Sequence, residues 1–265
     1  MKKSILIICT TVITLSVIAF CVLNRNKKEV NVSKDLAINS TQTDKKEPEV
    51  FEDFIYDVGT RFRPIKKSAL KKIKSFEAFL DQEVVDGIID VESVSVVIFK
   101  DEKYSEIQEQ AKTPLFNVNQ LKLLQNSDYS TNFKISVYFT EKNTETNAIQ
   151  TNHWTPHHTI VPEKQAEYSK GKAVLLNFLR TKGKAIVASE KVEPKKLQAA
   201  KLFFTVSKIG DIKSVRLDRS SNYPKIDDFM IQLIKNTPDQ WVPAENKKGE
   251  KVEQELVVSF GLMGC

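Results

Sequence analysis

The stretch AKLFFTVSKIGDIKSVRLDRSSNYPKIDDFMIQLIKNTPDQWVPAENKKGEKVEQELVVSF, residues 200–260, decides the fold. Leu202 to Val206 reads as a strand. Lys208-Ile209-Gly210-Asp211 follows as a turn, and Gly210 supplies the positive φ that a tight hairpin needs. A second strand runs from Ile212 to Leu217, with Val215 and Leu217 on one side and Ser214, Arg216 and Asp218 on the other. Ser220, Ser221 and Asn222 form a loop, and Pro224 suits the first turn of a helix. Asp227 and Asp228 lie near the positive end of that helix's dipole. Ile226, Phe229, Met230, Ile231, Leu233 and Ile234 contain the spacing of one buried helical face, and Pro238 ends it. A last strand places Val252, Gln254, Leu256, Val258 and Phe260 on one face and Glu253, Glu255 and Ser259 on the other. A β-β-α-β unit of this kind has one sheet face under helices and one open edge.

Upstream, Gly171, Val174, Leu175, Phe178 and Leu179 predict a further helix, with Gly183 as the residue just past its end. Residues 163–265 thus read as a helix-β-β-helix-β domain. Residues 51–162 read as a separate α+β domain. There Ser68 is the expected N-cap of a helix bearing Ala69, Ile73, Phe76 and Leu80. Val94, Val96 and Ile98 mark a strand, and Asn117 to Gln125 a short helix. Phe133, Ile135, Val137 and Phe139 alternate with Lys134, Ser136, Tyr138 and Thr140 as a half-buried strand. A polar loop, Glu141 to Asn152, leads to a strand near Trp154 to Val161. The two halves echo each other. Ser75–Leu80 answers Val174–Leu179, Leu123–Ser127 answers Leu233–Thr237, and each half closes on a strand ending in Phe139 or Phe260. A diverged duplication, or chance recurrence of common αβ patterns, accounts for this.

The N-terminus has a different character. Ile5 to Leu23 is an uncharged apolar run of 19 residues, about 28 Å as a helix and long enough to span a bilayer. Lys2, Lys3, Arg25, Lys27 and Lys28 flank it. Removing those five from the 40 bases leaves 35 against 34 acids, so the net charge of +6 is no polyanion-binding signature. Residues 1–28 are expected to be an uncleaved transmembrane anchor and residues 29–50 a flexible polar tether. The bulk of the chain is then exported, and the fold class is α+β: an N-terminal transmembrane helix followed by two small sandwich-like α/β units. Cys9, Cys21 and Cys265 lie too far apart in kind and place to pair within one molecule, which excludes a disulfide framework.

The residues from about Pro162 onward resemble the C-terminal domain of the TonB family of energy transducers. The hairpin KIGDIKSVRLDRSS, the amphipathic helix after it, Trp241-Val242-Pro243-Ala244 and the final strand QELVVSF carry the likeness. The closing Gly261 to Cys265 resembles the tail of the Bacteroidetes branch. The resemblance implies an inner-membrane, single-pass protein with its folded part in the periplasm. It also implies an ExbB–ExbD-type proton-channel partner at the anchor, and an outer-membrane receptor bound by strand addition at the final strand. The expected partner-binding residues are therefore Glu253, Gln254, Glu255, Leu256, Val257, Val258, Ser259 and Phe260, which as an edge strand present unpaired N–H and C=O groups. Trp241 is either packed across the end of the helix or turned toward a partner. Two departures stand out. The spacer is not Pro-rich, and the span carries Ser4, Thr10, Thr11, Thr14 and Ser16 but no histidine. The alternative is a non-energised periplasmic binding module using the same domain.

Nothing in the chain points to catalysis. The histidines His153, His157 and His158 cluster, but adjacent His157 and His158 point to opposite sides of a strand and no Cys or acid sits at ligand spacing. Asp227 with Asp228, and Glu253 with Glu255, suit a helix N-terminus and an outer strand face. No phosphate-binding glycine loop, nucleophile triad or zinc pattern occurs. No enzyme activity, metal or cofactor is expected.

Overall fold

In the computed structural model, residues 54–100, 103–143 and 145–262 are described. The expected anchor Ile5–Leu23, the tether and Cys265 lie outside them, and no helix among the described residues is long and apolar enough to cross a membrane.

The elements run in the order β1 (Ile55–Gly59), β2 (Arg63–Lys66), α1 (Lys67–Leu70), a 3-10 turn (Phe76–Phe79), α2 (Gln82–Gly87), β3 (Ile88–Lys100), β4 (Lys103–Ala111), α3 (Val118–Asn126), β5 (Asn132–Lys142), β6 (Ile149–Trp154) and β7 (His157–Val161). They continue with β8 (Glu167–Tyr168), α4 (Lys172–Ser189), β9 (Ala200–Val206), β10 (Ile212–Arg219), α5 (Pro224–Lys235), β11 (Trp241–Val242), β12 (Ala244–Glu245), β13 (Lys251–Val252) and β14 (Gln254–Gly261). The chain is mixed α+β, richer in strand than in helix.

Two main sheets form. One has the order β1-β14-β9-β10 and is antiparallel throughout. The other has the order β2-β7-β5-β3-β4, with β6 extending the hairpin from β5 and a parallel pair at β2 and β7. The expected alternation organises each core. Leu202, Phe204, Val206, Leu256, Val258 and Phe260 are buried against Leu175, Leu179, Ile226, Met230 and Ile234 of α4 and α5. Burying a side chain such as Met230 or Ile234 stabilises by roughly 1.5–3 kcal/mol. Phe133, Ile135, Val137 and Phe139 of β5 are buried in the second core with Leu124 of α3 and Val94 and Val96 of β3.

The helix ends follow local rules. Pro224 occupies the first turn of α5, and the buried Asp227 accepts from Ser220 Oγ at 2.5 Å and from the Ser221 N–H at 3.0 Å. Asn117 caps α3 in a capping box with Gln120. Gln120 is fully buried, and its Nε2 donates to the carbonyls of Val94 at 2.9 Å and Glu109 at 3.2 Å, tying the helix to β3 and β4.

Several expectations are corrected. The helix from Ser68 to Leu80 is broken into α1 and the 3-10 turn, and Lys66, not Ser68, is the N-cap. Ser75 stops a continuous helix because it pairs with Leu115 and its hydroxyl takes the Glu77 N–H. Much of the polar stretch Glu141–Asn152 is hairpin, not loop, because β5 and β6 stay paired out to Lys142 and Ile149. The strand near Trp154–Val161 is interrupted at Thr155 and Pro156. In β10, Ser214 adopts φ 50° and shifts the register between Lys213 and Arg216, which breaks simple alternation. Gly183 does not end its helix but lies inside α4, which continues to Ser189.

Residues 50–265 form one compact unit, in which β1, from the head of the 51–162 stretch, completes the sheet of the 163–265 stretch. The β-β-α-β unit itself recurs. β3, β4, α3 and β5 assemble in the order β5-β3-β4, and β9, β10, α5 and β14 in the order β14-β9-β10, with a helix between the second and third strands of each.

Candidate functional site

The flank of β14 is where the resemblance puts partner binding, and the structure fills it. Glu253 lies between β13 and β14, its carboxylate 2.7 Å from Lys213 Nζ. Gln254 is buried, accepting from the Ala166 N–H at 2.7 Å and donating to Gln165 at 3.1 Å. Leu256, Val257, Val258 and Phe260 are buried. Burial pushes the Glu255 carboxyl above its usual range, opposed by Arg216 at 3.2 Å. One side of the strand pairs with β9 from Gln254 to Phe260. The other side pairs with β1, Gly59 opposite Val257 through to Ile55 opposite Gly261. Just past the end of β1, the Glu255 N–H is taken by Ser130 Oγ at 2.8 Å.

The expectation of an open edge at Glu253–Phe260 is therefore overturned over Val257–Phe260, which β1 covers, and at the Glu255 N–H, which Ser130 takes. The physical reason is that the segment following the tether has its own strand pattern. Phe54, Tyr56 and Val58 alternate with exposed Ile55 and Asp57, and the three buried side chains complete the helix-covered core. This alternation was readable in the sequence, but nothing local said which sheet would receive it.

The seat for β1 is shaped by α4. A Cβ at Gly183 would overlap the Tyr56 hydroxyl, so the missing side chain makes the notch that Tyr56 fills. Lys172, at the start of α4, reaches Asp57 at 2.6 Å. β1 does not occupy the whole groove. A cleft of about 280 Å³ lies at its start, between Phe54, Tyr56, Val187 and Val192 with Arg180 and Lys191 beside them. A second of about 350 Å³ lies at its end, where Val58, Gly59 and Thr60 meet Tyr168, Leu175 and Trp241.

Trp241 is not turned toward a partner. It is 4% exposed and packs on Tyr168 at 5.7 Å and Phe204 at 5.1 Å. The free flanks of this sheet belong to β10 and to the outer side of β1.

The histidines separate as their alternation predicts. His157 lies by Phe62 and Phe99. His158 is buried between Phe79, at 5.0 Å, and Phe133, at 5.5 Å, with no hydrogen-bond partner at either ring nitrogen. Burial pushes its pKa down to about 4. His153 stacks on Tyr138 at 3.9 Å, and its Nε2 lies 2.8 Å from Ser136 Oγ. Among the described residues no three His, Cys, Asp or Glu side chains converge to hold a metal. The chain matches no family model, no curated protein and no solved structure.

Proposed function

We infer that this chain is a membrane-anchored, periplasmic binding protein whose TonB-like sheet takes up an extended segment of an outer-membrane transport receptor, with β1 holding the receiving flank while no partner is bound. One observation carries this reading: β14 already bears an added strand, Ile55–Gly59, supplied from outside its own β-β-α-β unit. Main-chain ladders are indifferent to sequence, so a flank that receives one extended segment suits another, and the pockets beside it choose among them. The clefts at both ends of β1 leave room for a segment longer than β1 itself. The anchor's lack of a histidine favours the non-energised form of this reading over proton-driven coupling through ExbB–ExbD-type partners, since hydroxyls do not titrate near neutral pH.

The test is a reversible lock. Asp57 and Ser259 face each other across β1 and β14. In a full-length chain whose native cysteines are replaced by serine, Asp57→Cys with Ser259→Cys closes the flank under oxidation and frees it under reduction. In-cell crosslinking is expected to recover a receptor only in the reduced state. Equal recovery in both states, or none in either, overturns the reading.

A further inference from the structure

Among the described residues the two sheets present five strand flanks with no neighbour in their own sheet, and four of them are guarded. β10 is bulged at Ser214 and carries Lys213, Arg216, Asp218 and Arg219. β2 holds Arg63, Pro64 and Lys66. β4 has a register shift against β3 and the charge of Glu109. β1 is crossed by the Asp57–Lys172 ion pair. Charge, proline and bulges are the ordinary means of keeping edges apart. β6 has none of them. Ile149-Gln150-Thr151-Asn152-His153-Trp154 contains no Asp, Glu, Lys or Arg, pairs with β5 without a register shift, and is exposed up to the half-buried Trp154.

The outward groups of this edge follow from the ladder. The Asn143 N–H bonds the Ala148 carbonyl, and the Ile135 N–H bonds the Pro156 carbonyl. Alternation between them turns the main chain of Gln150, Asn152 and Trp154 toward β5 and leaves that of Ile149, Thr151 and His153 pointing away. We propose that β6 pairs antiparallel with β6 of a second copy of this chain about a two-fold axis through Thr151, joining two sheets into one.

An antiparallel two-fold preserves sheet faces, so residues of equal parity must meet. With Thr151 opposite its own mate, Ile149 falls opposite the other copy's His153, and Gln150 opposite its Asn152. The outward N–H and C=O groups of Ile149 and Thr151 and the His153 carbonyl then find partners, and the His153 N–H joins the ladder by leaving Asn152 Oδ1, which it bonds at 2.8 Å in the single chain. The chemistry is self-complementary. Ile149, 69% exposed, lies beside the stacked His153 and Tyr138 of the other copy. Threonine meets threonine, and amide meets amide. The strand itself carries no Asp, Glu, Lys or Arg, and the carboxylates beside it are already engaged, Glu92 by Thr151 and Glu141 by Gln150 and Asn152. A heterologous peptide would have no need of that symmetry, which is why a second copy is the favoured occupant.

The test uses the full-length chain in cells, with native cysteines replaced by serine. Thr151→Cys is expected to form a covalent dimer under mild oxidation about tenfold faster than Asn177→Cys on the exposed side of α4, because its Cα meets its own mate within disulfide range. Ile149→Cys or His153→Cys alone is expected to crosslink slowly, and the two mixed together quickly. Thr151→Pro removes an outward N–H that no internal bond uses, so the monomer's fold is retained and the dimer is lost. Crosslinking of Thr151→Cys no faster than Asn177→Cys, or to a protein of different mass, overturns the proposal. The β1 lock leaves this edge untouched, so the two readings fail separately.

Discussion

At the scale of single residues, two positions carry testable energetics. His158 is held neutral by burial, with its pKa near 4 against an ordinary value of 6.5. The unfolded chain therefore binds the proton more readily between those values, and stability falls as pH drops from 6.5 toward 4. The full contribution is about 3 kcal/mol at 1.36 kcal/mol per pH unit. Urea midpoints at pH 7 and pH 4.5 should show this loss, and His158→Leu should flatten it while leaving pH 7 stability equal or higher, since two unpaired ring nitrogens leave the core. Gly183 runs against its usual rule. Glycine to alanine inside a helix ordinarily stabilises by about 1 kcal/mol. Here Gly183→Ala meets the Tyr56 hydroxyl and should destabilise by about 1–3 kcal/mol. Tyr56→Phe in the same chain should restore most of that, which a double-mutant cycle by thermal unfolding measures directly. The sequence suggested Gly183 as a helix end because glycine is common there; only its contact with a distant strand reveals its role.

At the scale of elements, buried polar side chains hold the helices in register with the sheets. Gln120→Leu keeps the volume but strands the Val94 and Glu109 carbonyls and dissolves the capping box. A loss of about 2–4 kcal/mol is expected, at roughly 1–3 kcal/mol for each unsatisfied group, with faster amide exchange in α3 as the readout. The short helix itself was legible from its apolar spacing and Asn117 cap. The broken helix near Ser68 was not, because the interruption comes from Ser75 pairing with Leu115, a contact that local propensity does not encode. The hairpin at β6 escaped for a related reason. Its residues between Ile149 and Trp154 are polar on both faces, and a strand that meets the core only at Trp154 leaves no period in the sequence.

At the scale of the molecule, β1 makes the two halves interdependent. A fragment of residues 163–265 lacks the strand that closes the β14 flank. A synthetic peptide of residues 54–61 should bind that fragment in trans, read by fluorescence anisotropy. Tyr56→Ala in the peptide should weaken it about tenfold or more, since 1.4 kcal/mol is a factor of ten and a buried aromatic contributes more than that. The halves also meet side to side. Arg61 lies over Phe62 at 4.9 Å and Phe203 at 5.6 Å, while Arg216 lies over Phe203 at 4.1 Å on the face of the sheet opposite the helices. Ser130 adds the hydrogen bond to Glu255. The same β-β-α-β topology in both halves agrees with a duplicated origin, and in each the outer flank of the third strand is covered, by β1 in one and by β6 and β7 in the other.

The chain's own letters determined its α+β class, the hairpin at Gly210, the helix from Pro224 and the two faces of the last strand, because period and turn chemistry are local properties. Which strand would lie beside which was beyond them. An edge is open or closed according to whether a segment some two hundred residues away carries a side chain that fits, and here Tyr56 fits at Gly183. That choice is made by packing between distant parts of the fold, and only the assembled sheet displays it.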